Sequence, residues 1–183
     1  MLILASGSPR RKELLSLITD EFEVLVSGCD EFVPEGTPAE KVPAILAEQK
    51  ALAVAKLRPE DIVIGSDTVV VLNNEIFGKP KDKEHAHAML KALSGKKHFV
   101  YTGVAVAEND KVRSFVQKTE VEFYELSDET IDKYIETLEP MDKAGAYGIQ
   151  GKGSVLVKGI VGDYFNVMGL PVAETARFLG LVK

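Results

Sequence analysis

Apolar and polar positions along the chain switch repeatedly between a period near two and a period near 3.6. Residues 2–5 form a short apolar run and read as a strand. Ser8-Pro9 follows, a capping residue before a proline at the first helical position, and Leu14, Leu15 and Ile18 make the stripe of the helix it opens. Residues 22–27 alternate as a second strand. Thr37-Pro38-Ala39-Glu40 has capping-box spacing, and Val42, Ile45, Leu46, Leu52 and Ala53 continue a helical face to about Lys56. Residues 62–65 and 69–72 are two β-branched strand segments, and Asn73-Asn74 is a turn signal. Asp82 is placed to cap a helix through Met89, Leu90 and Leu93 that stops at Ser94-Gly95. Residues 99–107 and 112–124 flank Glu108-Asn109-Asp110 as a long hairpin. Ser127 caps a helix through Ile131, Tyr134 and Ile135, ended by Pro140. Residues 155–160 form another strand, and residues 171–179 the last helix. Strands and helices alternate around one antiparallel pair, so the class is α/β with a mixed sheet.

Composition narrows this picture without changing it. A chain of 183 residues fits a single domain, 1–183, and 45% hydrophobic against 27% charged residues is a globular balance. Lysines and arginines number 22 against 28 aspartates and glutamates, a net charge of −6 that disfavours binding to nucleic acid through a basic face. No apolar run approaches the roughly 20 residues of a membrane span, and the N-terminus lacks a signal-peptide pattern. The expectation is a soluble, cytoplasmic protein with no membrane partner.

The charge is segregated. Residues 20–40 hold seven acids and no base, residues 120–142 hold nine acids against Lys133 alone, and residues 78–98 hold six lysines against Asp82 and Glu84. Such runs are most often solvated faces, though an anionic ligand held partly through a metal would need both signs in one cleft.

Elimination removes several chemistries. Walker A spacing is absent, and the glycines of residues 145–153 do not fit G-x-G-x-x-G. His85, His87 and His98 all fall in the lysine-rich stretch and read as surface side chains, which disfavours a Ser–His–Asp triad and a histidine metal pair. The single cysteine, Cys29, precedes Asp30-Glu31, whose charge opposes a thiolate; it reads as a small buried apolar residue.

Four segments resist a purely structural account. Ala5-Ser6-Gly7-Ser8-Pro9-Arg10-Arg11 is a small-residue turn at a helix N-terminus with two arginines in the first turn, where the dipole opposes them and an anion would compensate. Ile64-Gly65-Ser66-Asp67-Thr68-Val69 buries an acid at the end of an apolar strand, which is costly unless the charge is paired or metal-bound. Phe77-Gly78-Lys79-Pro80 is a stiff turn presenting one lysine, which alone reads as a surface turn. Residues 140–151 form a glycine-rich loop with Tyr147 and Gln150 near its end. The Gln150 amide offers one donor and one acceptor, matching the N3–H and O4 edge of uracil or thymine, although a solvated glutamine fits equally well.

Taken in order, Leu4-Ala-Ser-Gly-Ser-Pro-Arg-Arg11, Asp30-Glu31, Gly65-Ser-Asp-Thr-Val69, Gly78-Lys-Pro80, Asp142-Lys-Ala-Gly-Ala-Tyr147, Ile149-Gln-Gly151 and Asn166-Val-Met-Gly-Leu-Pro171 resemble the Maf family of nucleoside triphosphate pyrophosphatases along almost the whole chain. The loop at 142–151 looks like that of the branch acting on dTTP and UTP. Small departures are Ser66, where alanine is common, and Met168, where a branched aliphatic is usual. The resemblance implies an elongated mixed sheet flanked by helices, similar to the inosine triphosphatase-like (Maf/Ham1) architecture. It implies hydrolysis of a nucleoside triphosphate to monophosphate and pyrophosphate in a house-cleaning role, dependent on a divalent cation, Mg2+ or Mn2+. By the same resemblance Asp67 is the proton acceptor, and Arg10, Thr68 and Gln150 are tied to substrate choice. Glu31 joins Asp67 at the metal, Ser8, Arg11, Lys50 and Lys79 surround the triphosphate, and a homodimer is the assembly allowed for. Two other classes stay open, a nucleotide sensor without turnover and an interaction protein linked to septum formation.

Overall fold

A computed structural model describes residues 1–26 and 28–182. Seven strands form one mixed sheet: β1 (Leu2–Leu4), β2 (Glu23–Val24), β3 (Ile62–Leu72), β4 (Glu75–Phe77), β5 (Lys97–Glu108), β6 (Lys111–Phe123) and β7 (Val157–Val161). Their order is β2-β1-β3-β5-β6-β7, with β4 also paired to β3. β1 runs parallel to β2 and β3, with Leu2, Ile3 and Leu4 opposite Ile62, Val63 and Ile64. β4 lies antiparallel on β3 and β7 antiparallel on β6. The helices are α1 (Pro9–Ser16), α2 (Val42–Ala55), α3 (Lys83–Leu93), α4 (Asp128–Glu136), α5 (Tyr164–Met168) and α6 (Val172–Phe178). Among the described residues no helix is long and apolar enough to cross a membrane.

Local chemistry explains the best-predicted boundaries. Asn73-Asn74 and Asn109-Asp110 take positive φ, from 50° to 68°, the left-handed turn conformation these residues tolerate and tight hairpins require. The Asp82 carboxylate accepts from the His85 amide at 2.7 Å and caps α3. The Ser127 hydroxyl accepts from the Thr130 amide at 3.2 Å and caps α4.

Other expectations are corrected. The two strand segments at 62–65 and 69–72 are one strand, carried through Ser66-Asp67-Thr68 by pairing to β1 at one end and β4 at the other. The expected strand at 22–27 is only Glu23–Val24, and its last position, Ser27, lies outside the described residues. The capping box does not form. Thr37 donates its hydroxyl to the Pro34 carbonyl at 2.6 Å, and a single 3-10 turn (Ala39–Lys41) leads into α2, whose first turn holds Pro43 and so lacks one amide to cap. His98 is not a surface side chain: strand alternation on β5 turns it inward to 1% exposure. Cys29 is half-buried. β4 and α5 had no clear signal, being short.

The chain divides into two compact units, residues 1–68, 102–117 and 169–183, and residues 69–101 and 118–168. The first unit packs Ile3, Ala5 and Val63 with Ala47, Ala51 and Val54 of α2 and Ala105 and Ala107 of β5. Two glycines bring α2 down to main-chain contact there. A Cβ at Gly65 would lie 2.1 Å from the Ala47 carbonyl oxygen, and one at Gly103 would lie 2.3 Å from the Pro43 carbonyl. The second unit centres on Leu90, Leu93, Phe123, Ile131, Tyr134, Tyr147 and Leu156.

Candidate functional site

In the first unit β3, α1, α2 and the irregular segment with Glu31 carry the charged residues singled out above. β3 carries Asp67 and α2 carries Lys50, whose ammonium donates to Asp67 Oδ1 at 2.5 Å and also pairs with Glu31 Oε1 at 3.1 Å. The side chains of Asp67 and Lys50 are 14% and 18% exposed, that of Glu31 47%. One lysine thus links a sheltered carboxylate to an open one.

Glu31 lies on a segment without regular structure, and Gln49 holds that segment. Its amide accepts from the Phe32 amide at 2.9 Å and donates to the Phe32 carbonyl at 2.6 Å, a two-point clamp one residue from Lys50 on α2. Sequence reasoning missed Gln49, because nothing local distinguishes a glutamine on a helix that clasps a distant main chain.

The N-terminal turn is built around Arg11. Its Nε donates to the Gly169 carbonyl at 2.9 Å, Nη1 to the Ser6 hydroxyl at 3.3 Å and Nη2 to the Thr68 hydroxyl at 3.1 Å. Gly169 also accepts from the Ser66 hydroxyl at 3.1 Å, and the Thr68 and Thr102 hydroxyls are 2.9 Å apart. Burial lowers the Arg11 pKa from its ordinary value; the charge of Asp67 opposes the shift, Arg10 adds to it and Glu31 opposes it. Arg10 is the neighbouring half-buried cation. Ser8 stands at the cap position of α1, but its hydroxyl caps no amide, and the first turn contains no acidic residue. The amides and dipole of this helix start, with Arg10 beside them, form a positive corner suited to an anion. Ser8, Arg10, Arg11, Thr68, Glu31, Lys50 and Asp67 therefore belong to one unit.

Lys79 and Gln150 belong to the other. The Gly78 carbonyl accepts from the Gly145 amide at 3.0 Å, so the turn presenting the exposed Lys79 is fastened to the glycine-rich loop. Gly145 has φ 71°, and a Cβ there would press within 2.9 Å of Val70, so this position needs glycine. Tyr147 is anchored in the core, its hydroxyl 2.7 Å from His98 Nε2 and its ring edge-on to Phe123. Burial raises the Tyr147 pKa far above its ordinary value and lowers that of His98 from 6.5 to about 4. Gln150 is half-buried, followed by Gly151 at φ 65° and a 3-10 segment, Gly151–Leu156. The Gly148 amide donates to the Tyr134 hydroxyl at 3.0 Å, and the Lys152 and Gly153 amides donate to Glu139 Oε2 and Oε1, each at 3.0 Å. Neither Tyr134 nor Glu139 carried a chemical signal in the sequence; Tyr134 looked like helix core.

Much of the segregated charge is structural. Lys91 pairs with Asp128 and Lys97 with Glu120, each at 2.8 Å, so the basic and acidic runs face each other across α3–α4 and β5–β6. Among the described residues no group of three or more His, Cys, Asp or Glu could hold a metal ion; Glu31 and Asp67 are two carboxylates brought to one cation, Lys50.

A family model described as Maf-like protein matches residues 1–182. A dTTP/UTP pyrophosphatase of Bacillus cytotoxicus is 55% identical over 178 residues, covering 97% of this chain and 93% of the relative. A dTTP/UTP pyrophosphatase of Bacillus cereus is 50% identical with the same coverage. Among solved structures, the Staphylococcus aureus Ham1 protein superposes with a TM-score of 0.51 at 18% identity, covering 85% of this chain and 79% of that one, a likeness of fold.

Proposed function

The chain belongs to the Maf-like protein family, and on that premise we propose that it is a nucleoside triphosphate pyrophosphatase hydrolysing dTTP and UTP to the monophosphate and pyrophosphate. The observation that carries the chemistry is the convergence of Asp67 and Glu31 on one cation, the Lys50 ammonium, at 2.5 and 3.1 Å. Two carboxylates that already share a positive charge, one sheltered and one open, are a donor set that a divalent cation accepts together with phosphate oxygens and waters. Glu31 and Asp67 would hold such a cation, Mg2+ or Mn2+, which when bound acidifies water and neutralises phosphate charge.

The residues of the chain divide the remaining work. Asp67 accepts a proton from the water that attacks the α-phosphorus, the α–β phosphoanhydride bond breaks, and pyrophosphate leaves with the bridging oxygen. Lys50, released from the carboxylates, becomes a point charge for the leaving group, and Arg11 offers the two of its five N–H groups that are not directed at any of the described residues. Ser8, Arg10 and the α1 N-terminus add the positive corner. Lys79 is assigned to a phosphate, and Gln150, Thr68 and Arg10 to substrate choice. Cytoplasmic residence, a homodimer and a house-cleaning role on normal and modified pyrimidine nucleotides complete the reading.

Incubation of the purified protein with UTP and Mg2+ tests it. Equimolar UMP and pyrophosphate support the enzyme. Binding without pyrophosphate release points to a sensor, and neither binding nor release to an interaction protein.

A further inference from the structure

We propose that Glu139, acting with Tyr134, is a specificity-positioning residue: it holds the main chain on both sides of Gln150 so that the glutamine amide is presented in one orientation. This rests on the reading that Gln150 meets the base.

Three amides flank Gln150, Gly148 before it and Lys152 and Gly153 after it. All three end on one acceptor unit: the Tyr134 hydroxyl takes Gly148, and the two Glu139 oxygens take Lys152 and Gly153. The two acceptors are joined, because the Tyr134 hydroxyl donates to Glu139 Oε1 at 2.9 Å. The loop is therefore tied at both ends to a single carboxylate.

The clamp is rigid on its own side. Tyr134 is 4% exposed within the core of its unit. Lys143 Nζ donates to the Glu139 carbonyl at 2.6 Å, which fixes the main chain from which the carboxylate projects. The loop is moulded to the clamp as well. A Cβ at Gly151 would lie 2.7 Å from Glu139 Oε2, and one at Gly153 would lie 2.6 Å from the Tyr134 hydroxyl. Burial alone would raise the Glu139 pKa, but the Lys152 and Gly153 amides, the Tyr134 hydroxyl and the charge of Lys143 outweigh it, leaving the pKa below its ordinary 4.5. The charged form is the one the loop selects.

A clamp of this kind matters because an amide is a weak discriminator when free. Rotated by half a turn, the Gln150 side chain offers cytosine the reversed donor and acceptor pattern as well as it offers uracil the direct one. Discrimination requires that the loop cannot adjust to allow that rotation. Glu139 touches no substrate in this scheme and acts through Gln150 alone.

The test measures kcat/KM for UTP, dTTP and CTP in wild type, Glu139→Gln, Tyr134→Phe and Gln150→Ala, with amide hydrogen exchange across residues 148–153 in the nucleotide-free proteins. Glu139→Gln keeps size but removes charge and an acceptor, so exchange at Lys152 and Gly153 accelerates and the UTP-to-CTP ratio falls about tenfold. Tyr134→Phe preserves the core ring but frees Gly148 and removes the hydroxyl donated to Glu139 Oε1 while keeping both Glu139 oxygens for Lys152 and Gly153, so it gives a smaller fall in the same direction, and it decides the matter should Glu139→Gln not fold. Faster exchange with an unchanged ratio overturns the proposal, as does unchanged exchange. A ratio unaffected by Gln150→Ala overturns the base-reading assignment instead, so the two failures are distinct.

Discussion

Replacing Arg11 with alanine separates two roles that the sequence assigned to one. Read from sequence, a basic residue in a first helical turn opposes the dipole, so Arg11→Ala should leave the helix intact and weaken triphosphate binding more than monophosphate binding. The structure adds a cost. The guanidinium ties β1's exit, β3 and the turn at Gly169 together through bonds of 2.9, 3.1 and 3.3 Å. Hydrogen bonds from a charged donor contribute roughly 1.5–3 kcal/mol each, the longest of the three counts least, and burial of the charge offsets part of the sum. A net loss of about 2–4 kcal/mol follows. For a chain of 183 residues that is a fall in Tm of roughly 5–15 °C. Thermal unfolding of wild type, Arg11→Ala and Arg11→Lys measures the brace, and calorimetric titration with UTP and UMP measures the phosphate role. Lysine restores charge without the fork, so it should recover part of the UTP preference and little of the Tm. A Tm within about 1 °C of wild type in Arg11→Ala would refute the brace. Equal weakening of UTP and UMP would refute the phosphate contact.

Asp67→Asn should keep the fold and lower turnover by about two orders of magnitude or more, since it removes the proton acceptor and one carboxylate of the cation pair; near-normal turnover would take Asp67 out of the mechanism. Gln150→Glu puts an acceptor opposite O4 and should lower kcat/KM for UTP and dTTP much more than for CTP, a mismatch of about 1–3 kcal/mol; a uniform fall would assign Gln150 to loop support. His98, whose pKa is lowered from 6.5 to about 4 by burial, is neutral in the fold while the unfolded chain binds a proton between those values. Stability therefore rises with pH across that window, and roughly 3 kcal/mol is lost in going from pH 6.5 to pH 4. Urea denaturation of wild type and His98→Phe checks this, the variant lacking that part of the slope.

Features set by adjacent residues were legible. The Asn73-Asn74 and Asn109-Asp110 turns and the Asp82 and Ser127 caps depend on the backbone preferences of two to four neighbours, and they form as read. Features set by distant partners were not. Thr37 had the spacing to cap but finds Pro34 instead, and β3 runs through Asp67 because strands from elsewhere pair with it. His98 sits in a lysine-rich run yet points inward, since charge composition does not report which face of a strand a residue takes. The charged members of the site could be named because an acid in an apolar strand and two arginines at a helix start break local rules. Gln49 and Glu139 break none. Each acts by clasping main chain 13 to 17 residues away, a relation visible only after folding.

The direct seat of α2 on Gly65 and Gly103 has a bearing on how the protein tolerates change. Where side chains separate a helix from a sheet, each swap of leucine for valine shifts the helix by a fraction of an ångström. Here peptide rests against peptide, with a Cβ at Gly65 excluded by the Ala47 oxygen and one at Gly103 by Pro43. The spacer is the backbone itself, which mutation cannot resize. The lateral distance between Lys50 and Asp67 is thereby insulated from drift in the surrounding apolar residues. Substitutions that do not enlarge the packed side chains, such as Val54→Ala, should change stability while keeping the ion pair in register. A library touching either glycine should lose it at once.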